Sequence, residues 1–141
     1  MIAYNNDNFS IINSANTKNS EIKLEQYASL KNRLTFAKYF ITNKLITHKE
    51  HLTSLGCTIG VNLQLEQIKS ANSISELMGI EGAFARIYFQ HFFKFFPRDM
   101  HKAKRSKQPP RDPVNALMSY WYSLYYNIIT IRLLSYGFEP S

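Results

Sequence analysis

The chain predicts a mainly α, multi-helical fold, and three observations carry that prediction. Apolar residues recur at three- and four-residue spacing through 21–52, 73–96 and 113–136. Helix-boundary residues stand where the later runs start and stop: Ser73 with Glu76, then Pro97, then Asp112 with Pro113, then Gly137 and Pro140. Pro and Gly are scarce, five of each in 141 residues, so little interrupts the periodic stretches. That length has room for one domain with a core of its own.

The first twenty residues are the exception, being rich in Asn, Ser and Thr. Residues 2–12 alternate around Asn5-Asn6-Asp7-Asn8, as a short β-hairpin would. Two strands alone are marginal in water, so this hairpin would need sheet partners that the chain does not contain. Residues 21–52 then predict one long helix. Tyr27, Leu30, Leu34, Ala37, Ile41 and Leu45 form its apolar face, and Lys31, Arg33, Lys38 and Lys44 its polar face. Gly56 and Gly60 bracket a break, followed by a short helix over 62–70.

Ser73-Ile-Ser-Glu76 has the form of a capping box, in which the Ser73 hydroxyl accepts the Glu76 N–H while the Glu76 side chain reaches back. The helix it opens runs to about Phe96 and ends at Pro97. Its predicted core stripe is Leu77, Ile80, Phe84, Ile87, His91 and Phe95, with Glu81 beside it on a line with Leu77, Ala85 and Tyr88. Residues 97–112 form a loop containing Pro109-Pro110. Asp112 then caps a last helix with Pro113 in its first turn, the position where proline is favoured. That helix runs to Tyr136 and closes at Gly137 and Pro140. One face is apolar (Val114, Leu117, Trp121, Leu124, Ile128, Ile131). A second carries Asn115, Ser119, Tyr122 and Tyr126.

Charge narrows the function. The net charge is +7, and it is concentrated. Between Arg86 and Arg111 there are eight Lys or Arg residues (Arg86, Lys94, Arg98, Lys102, Lys104, Arg105, Lys107, Arg111) and one acid, Asp99. Such an excess points to a polyanion, nucleic acid first and an anionic membrane surface second. Lys and Arg neutralise phosphates without reading sequence. The competing explanation is a solvated loop that keeps the protein soluble. Residues 114–135 carry a single charge, Arg132, but Asn115, Ser119, Ser123, Asn127 and Ser135 make them too polar for a membrane span. The one cysteine, Cys57, excludes an internal disulfide and a cysteine-based zinc site, and fits a reducing cytoplasm. Met1-Ile-Ala-Tyr-Asn-Asn lacks the basic start and apolar run of a signal peptide.

Glu81 is the candidate for chemistry. It stands two residues after Gly79 and directly before Gly82, inside a predicted helix. Gly in a helix interior costs about 1 kcal/mol relative to Ala, so two of them around one acid imply that something approaches the backbone closely. A carboxylate there can ligate Mg²⁺ or Mn²⁺, which take oxygen ligands together with water and phosphate. The alternative is a salt-bridged glutamate, with Arg86 or Arg132 as the partner. The stripe of Asn115, Ser119, Tyr122 and Tyr126 has groups that bind phosphate and sugar oxygens, or it is ordinary helix packing. His48 and His51 share a helix face but have no acid or cysteine at ligand spacing; His91 is placed at the core edge and His101 in the loop. No Ser/His/Asp set, Gly-rich phosphate loop or zinc pattern is present.

Taken together these residues resemble one family, the CRISPR-associated integrase and endonuclease of spacer acquisition. The resemblance lies in Gly79-Ile-Glu-Gly82 followed by Ala83, Ala85 and Tyr88-Phe89, then a basic loop with Pro109-Pro110. Asp112-Pro-Val-Asn-Ala-Leu117 with Ser119-Tyr120 comes next, and finally Tyr136-Gly-Phe-Glu-Pro140. It covers 73–141 strongly and 2–55 more loosely. The resemblance implies that residues 1–20 are the tail of an N-terminal β domain and its linker. Residues 21–141 would be part of a C-terminal helical catalytic domain.

In that family a Glu, a His and an Asp bind Mn²⁺ or Mg²⁺, and Glu81 matches the Glu. The His and Asp would lie beyond Ser141, so the chain is expected to be an inactive piece. Asn115, Ser119 and Tyr126 match positions lining the catalytic cleft. Arg98, Lys102, Lys104, Arg105, Lys107 and Arg111 would hold DNA. The implied partners are double-stranded DNA (protospacer and CRISPR repeat), a second copy in a homodimer, and the second CRISPR adaptation protein, with no membrane. The alternative function is a non-catalytic helical module that binds nucleic acid or a protein.

Overall fold

A computed structural model describes residues 20–140. The hairpin expected at 2–12 lies outside the described residues. Five α-helices follow in order: α1 (Ser20–Ala28), α2 (Arg33–Ser54), α3 (Asn62–Ser70), α4 (Ile74–Phe92) and α5 (Pro113–Ser135). Single 3₁₀ turns occupy Ser29–Asn32, Phe93–Phe95 and Arg98–Met100. No strand occurs among the described residues.

The described chain divides into two compact units, one made of 20–31 with 120–140 and the other of Asn32–Ser119. In the second, α2 packs chiefly on α4, and α3 touches both. Leu45 and Leu52 from α2, Ile68 from α3, and Leu77, Phe84 and Tyr88 from α4 make the core, closed by Ile59, Val61 and Ala71. Phe84 is 1% exposed. Truncating so buried a ring to Ala costs about 3–5 kcal/mol, because the cavity adds to the lost transfer energy.

The helix ends follow the residues that bound them. Ser73 is extended (φ −142°) and its hydroxyl accepts the Glu76 N–H at 3.2 Å. Glu76 reaches back one residue further than a capping box requires, accepting from the Asn72 N–H at 2.8 Å. At the end of α2, Gly56 adopts φ +81°, and the Gly56 and Cys57 N–H groups donate to Thr53 and Leu52 carbonyls. Gly137 (φ +90°) ends α5 identically, with Gly137 and Phe138 donating to Leu134 and Leu133. Both are Schellman motifs, in which a left-handed residue turns the chain back onto the last carbonyls. Lys38 donates to the Lys69 carbonyl at 2.8 Å, placing a cation at the C-terminal end of α3.

Three expectations are corrected. The single helix over 21–52 is two helices. The Ser29 hydroxyl donates to the Gln26 carbonyl at 2.7 Å, a local bond that competes with the helical ladder, and Asn32 leaves helical geometry at φ −96°, ψ 7°. The apolar face therefore starts at Leu34; Tyr27 and Leu30 are exposed and belong to the other unit. In α4, Phe95 is exposed and Phe93 is buried in its place, because the chain tightens to three residues per turn after Phe92. Tyr88 is core together with Leu77 and Phe84, so the packed face extends onto the line that carries Glu81.

The third correction concerns α5. Val114 is buried, but Leu117, Trp121 and Ile128 of its predicted apolar face are exposed. Within the unit of 20–31 and 120–140, Gln26 forms a reciprocal pair with the Glu139 backbone. Its Nε2 donates to the Glu139 carbonyl at 2.7 Å, and its Oε1 accepts the Glu139 N–H at 2.8 Å. Lys23 adds an ion pair to the Glu139 carboxylate at 3.2 Å, so α1 holds the turn that follows α5.

Candidate functional site

Glu81 sits on α4 where that helix faces α2. Its carboxylate accepts a hydrogen bond from the Lys44 ammonium of α2, so within this unit its ion-pair partner is Lys44 rather than Arg86. One turn further along α2, the His48 ring stacks on Tyr88 with centroids 4.1 Å apart. His51 Nδ1 shares a 2.9 Å hydrogen bond with the Tyr88 hydroxyl. Burial of the His48 ring lowers its pKa from 6.5 to about 4, aided by the Lys44 and His51 charges and opposed by Glu81. The imidazole is therefore neutral at pH 7. Cys57 Sγ lies 3.2 Å from His91 Nδ1 at the far end of the same packed layer.

These groups do not by themselves hold a metal. Glu81 already has a cation against it, and no group of three His, Cys, Asp or Glu among the described residues is placed to ligate an ion. The glycines flanking Glu81 are also open. A Cβ added at Gly79 or Gly82 meets nothing within 4 Å, so no described part of this chain makes the close approach expected there.

The basic loop is built with more care than a solvated charge run needs. Asn115, in the first turn of α5, is fully buried at 0% exposure. Its Oδ1 accepts from Arg105 Nη1 at 2.9 Å and from the Ser106 N–H at 3.0 Å. Its Nδ2 donates to the Lys104 carbonyl at 2.9 Å and to Asp112 Oδ2 at 2.7 Å. Two donors and two lone pairs are all used, which is the full capacity of an amide side chain. Ser119, one turn on, accepts from Arg105 Nη2 at 3.3 Å.

Asp112 caps α5 through the Asn115 N–H at 2.8 Å and accepts the Lys102 N–H at 3.2 Å. Burial pushes the Asp112 carboxyl up, but the hydrogen bonds from Asn115 and Lys102 outweigh it, and the net pKa is lowered. At the other end His101 stacks on Phe93 with centroids 5.3 Å apart.

The structure thus brings Asn115, Ser119 and Arg105 together. Arg98, Lys102, Lys104, Lys107 and Arg111 have exposed side chains, while Arg105 is half-buried. Tyr126 is exposed and belongs to the unit of 20–31 and 120–140. The sequence reading misses Lys44 as the partner of Glu81. The available signal is that Lys44 lies three residues after Ile41 and four before His48, at the margin of the packed stripe rather than opposite it.

A helical unit with one lysine-paired carboxylate between its main helices and a hydrogen-bonded basic loop defines the class, a helical domain with a cationic loop. The family model described as CRISPR associated protein Cas1 matches residues 1–141. A protein named CRISPR-associated endonuclease Cas1 1, from Thermodesulfovibrio yellowstonii, is 31% identical over 93% of this chain and 46% of its own length. A protein named CRISPR-associated endonuclease Cas1, from Pyrococcus horikoshii, is 30% identical over 83% of this chain and 39% of its own length. A CRISPR-associated exonuclease Cas4/endonuclease Cas1 fusion from Leptospira interrogans is 40% identical over 55% of this chain and 15% of its own. The chain belongs to the CRISPR-associated Cas1 family, and it spans less than half the length of these relatives. Among the described residues no helix is long and apolar enough to cross a membrane.

Proposed function

We propose that this chain is a part of a Cas1-type DNA endonuclease and integrase of CRISPR spacer acquisition, with residues 21–141 belonging to its helical catalytic domain. The observation that carries the reading is the family match along all 141 residues. The exposed cations of the loop, fixed by a saturated hydrogen-bond network, add support. In the longer protein Glu81 would be one ligand of a Mg²⁺ or Mn²⁺ whose remaining ligands, a His and an Asp by the family resemblance, are supplied by that longer chain. The bound ion would supply Lewis-acid stabilisation of the phosphodiester oxygens. Arg98, Lys102, Lys104, Lys107 and Arg111 would neutralise DNA phosphates. Double-stranded DNA, a second copy of the protein and the second CRISPR adaptation protein are its proposed partners, in the cytoplasm. The 141-residue chain alone would be inactive.

The test has two parts. Binding of this chain to labelled duplex DNA, titrated at several salt concentrations, should weaken steeply and log-linearly as salt rises. In a chain of the relatives' full length, Glu81→Ala should abolish Mn²⁺ binding. Salt-independent DNA affinity and unchanged metal binding would together leave the rival function, a non-catalytic helical binding module.

A further inference from the structure

We infer that Asn115 and Arg105 are positioning residues that hold the basic loop in a preformed shape, and that phosphate contact belongs to the surrounding cations Lys102, Lys104, Lys107 and Arg111. The inference rests on the proposed DNA-binding function. It departs from the sequence expectation, which placed Asn115 in a catalytic cleft and counted Arg105 among the DNA ligands.

Burial separates the two roles. A side chain at 0% exposure with every hydrogen-bonding position filled cannot also reach a phosphate without breaking those bonds. What Asn115 does reach is the chain itself, at Lys104, Arg105, Ser106 and Asp112. These residues straddle the loop, so one amide joins its middle to the start of α5. The amide is also oriented. Reversing it would aim its NH₂ at the Arg105 guanidinium and its oxygen at the Asp112 carboxylate, opposing like with like at both ends.

Arg105 forms the other half of the clasp. Its Nη1 donates to the Ser106 carbonyl and to Asn115 Oδ1, and its Nη2 donates to Ser119 Oγ. Arg111 is tied in through its backbone, whose N–H donates to Ser106 Oγ at 3.0 Å, leaving its side chain exposed. The chain thus fixes backbone at 102, 104, 106, 111 and 112 while the cationic side chains of Lys102, Lys104, Lys107 and Arg111 stay outside. Order established before binding removes an entropic cost that a free loop would meet on meeting DNA.

The experiment uses the full chain and duplex DNA, with Asn115→Ala and Lys107→Ala. Each contact a cation makes with phosphate contributes about 0.9 to the slope of log affinity against log salt. Lys107→Ala should lower the slope by about that single step. Asn115 is neutral and releases no counterion itself, yet Asn115→Ala should make the slope shallower by about two steps or more, as the cations it organises lose their places. The same variant should expose Lys102, Lys104, Lys107 and Arg111 to trypsin at low protease.

A lowered melting temperature for Asn115→Ala with unchanged slope and unchanged trypsin cutting would overturn the inference. If the unaltered chain shows no salt-dependent DNA binding, the DNA-binding function fails. The trypsin pattern of Asn115→Ala then decides the positioning claim alone, faster cutting upholding it and equal cutting ending it.

Discussion

Lys44 on α2 and Glu81 on α4, 37 residues apart in the chain, form an ion pair that bridges the two main helices of the 32–119 unit. Their side chains are 45% and 30% exposed, so solvent screens the pair. An exposed pair of this kind is worth about 0–1 kcal/mol. Lys44→Ala and Glu81→Ala should each lower stability by less than about 1 kcal/mol in chemical unfolding, and 1 M salt should shrink the difference further. A loss beyond about 2 kcal/mol from either would mean that the pair is desolvated and part of the core. A small loss fits a carboxylate whose placement serves binding rather than folding.

Acid should weaken the same unit through His48. Its folded pKa is lowered from 6.5 to about 4, so the unfolded chain binds the proton more readily. Stability from the neutral ring is fully present above 6.5 and is lost as pH falls from 6.5 towards 4. Discounted for partial exposure, the loss across that window amounts to about 1–2 kcal/mol. His48→Phe keeps a ring over Tyr88 and removes the proton. Unfolding free energies at pH 7 and pH 5 should then differ less in the variant than in the parent; equal pH dependence would clear His48 of this role.

Gly79 and Gly82 should respond to alanine with a gain. Neither meets an atom within 4 Å of an added Cβ, so the substitution adds helix propensity without a clash. Each should stabilise the isolated chain by about 0.5–1 kcal/mol. If a bound molecule needs bare backbone beside Glu81, Gly82→Ala in the longer protein should lose activity while its melting temperature rises. Destabilisation of the isolated chain by either alanine would show that the helix there is not as open as the structure has it.

How far the sequence discloses this arrangement depends on the range of the forces involved. The start of α4 and both ends of α5 are legible because caps are local: Ser73, Asp112 and Gly137 act on residues within one turn. The break at Ser29–Asn32 is not, because Leu30 and Leu34 continue the apolar spacing through it. Only packing separates the exposed Leu30 from the half-buried Leu34. Asn115 is visible as a polar residue on a regular stripe, but its burial depends on backbone groups of a loop that has no period to align. Lys44 and Glu81 are visible singly, and their pairing depends on the register of α2 against α4. The apolar face of α5 is correctly periodic, but periodicity states which side could be covered and not what covers it.

Trp121 makes that last point measurable. It is the single tryptophan of the chain and is 47% exposed, with Tyr125 tilted against it at 6.0 Å. Leu117, Ile128 and Ile129 are exposed on the same helix. An indole in this setting should emit at the long-wavelength end of its range and be quenched readily by acrylamide. In a chain of the relatives' full length, exposed apolar side chains such as these should be covered by protein, since exposed apolar patches mark contact sites. The emission should then shift to shorter wavelength and the quenching constant should fall. Trp121→Ala should consequently cost little in the 141-residue chain, within about 1 kcal/mol, and about 3–5 kcal/mol where the face is covered. Identical emission and quenching in the two chains would mean that α5 keeps this face in water. Its aromatic residues would then be available to stack against the bases or sugars of a bound nucleic acid.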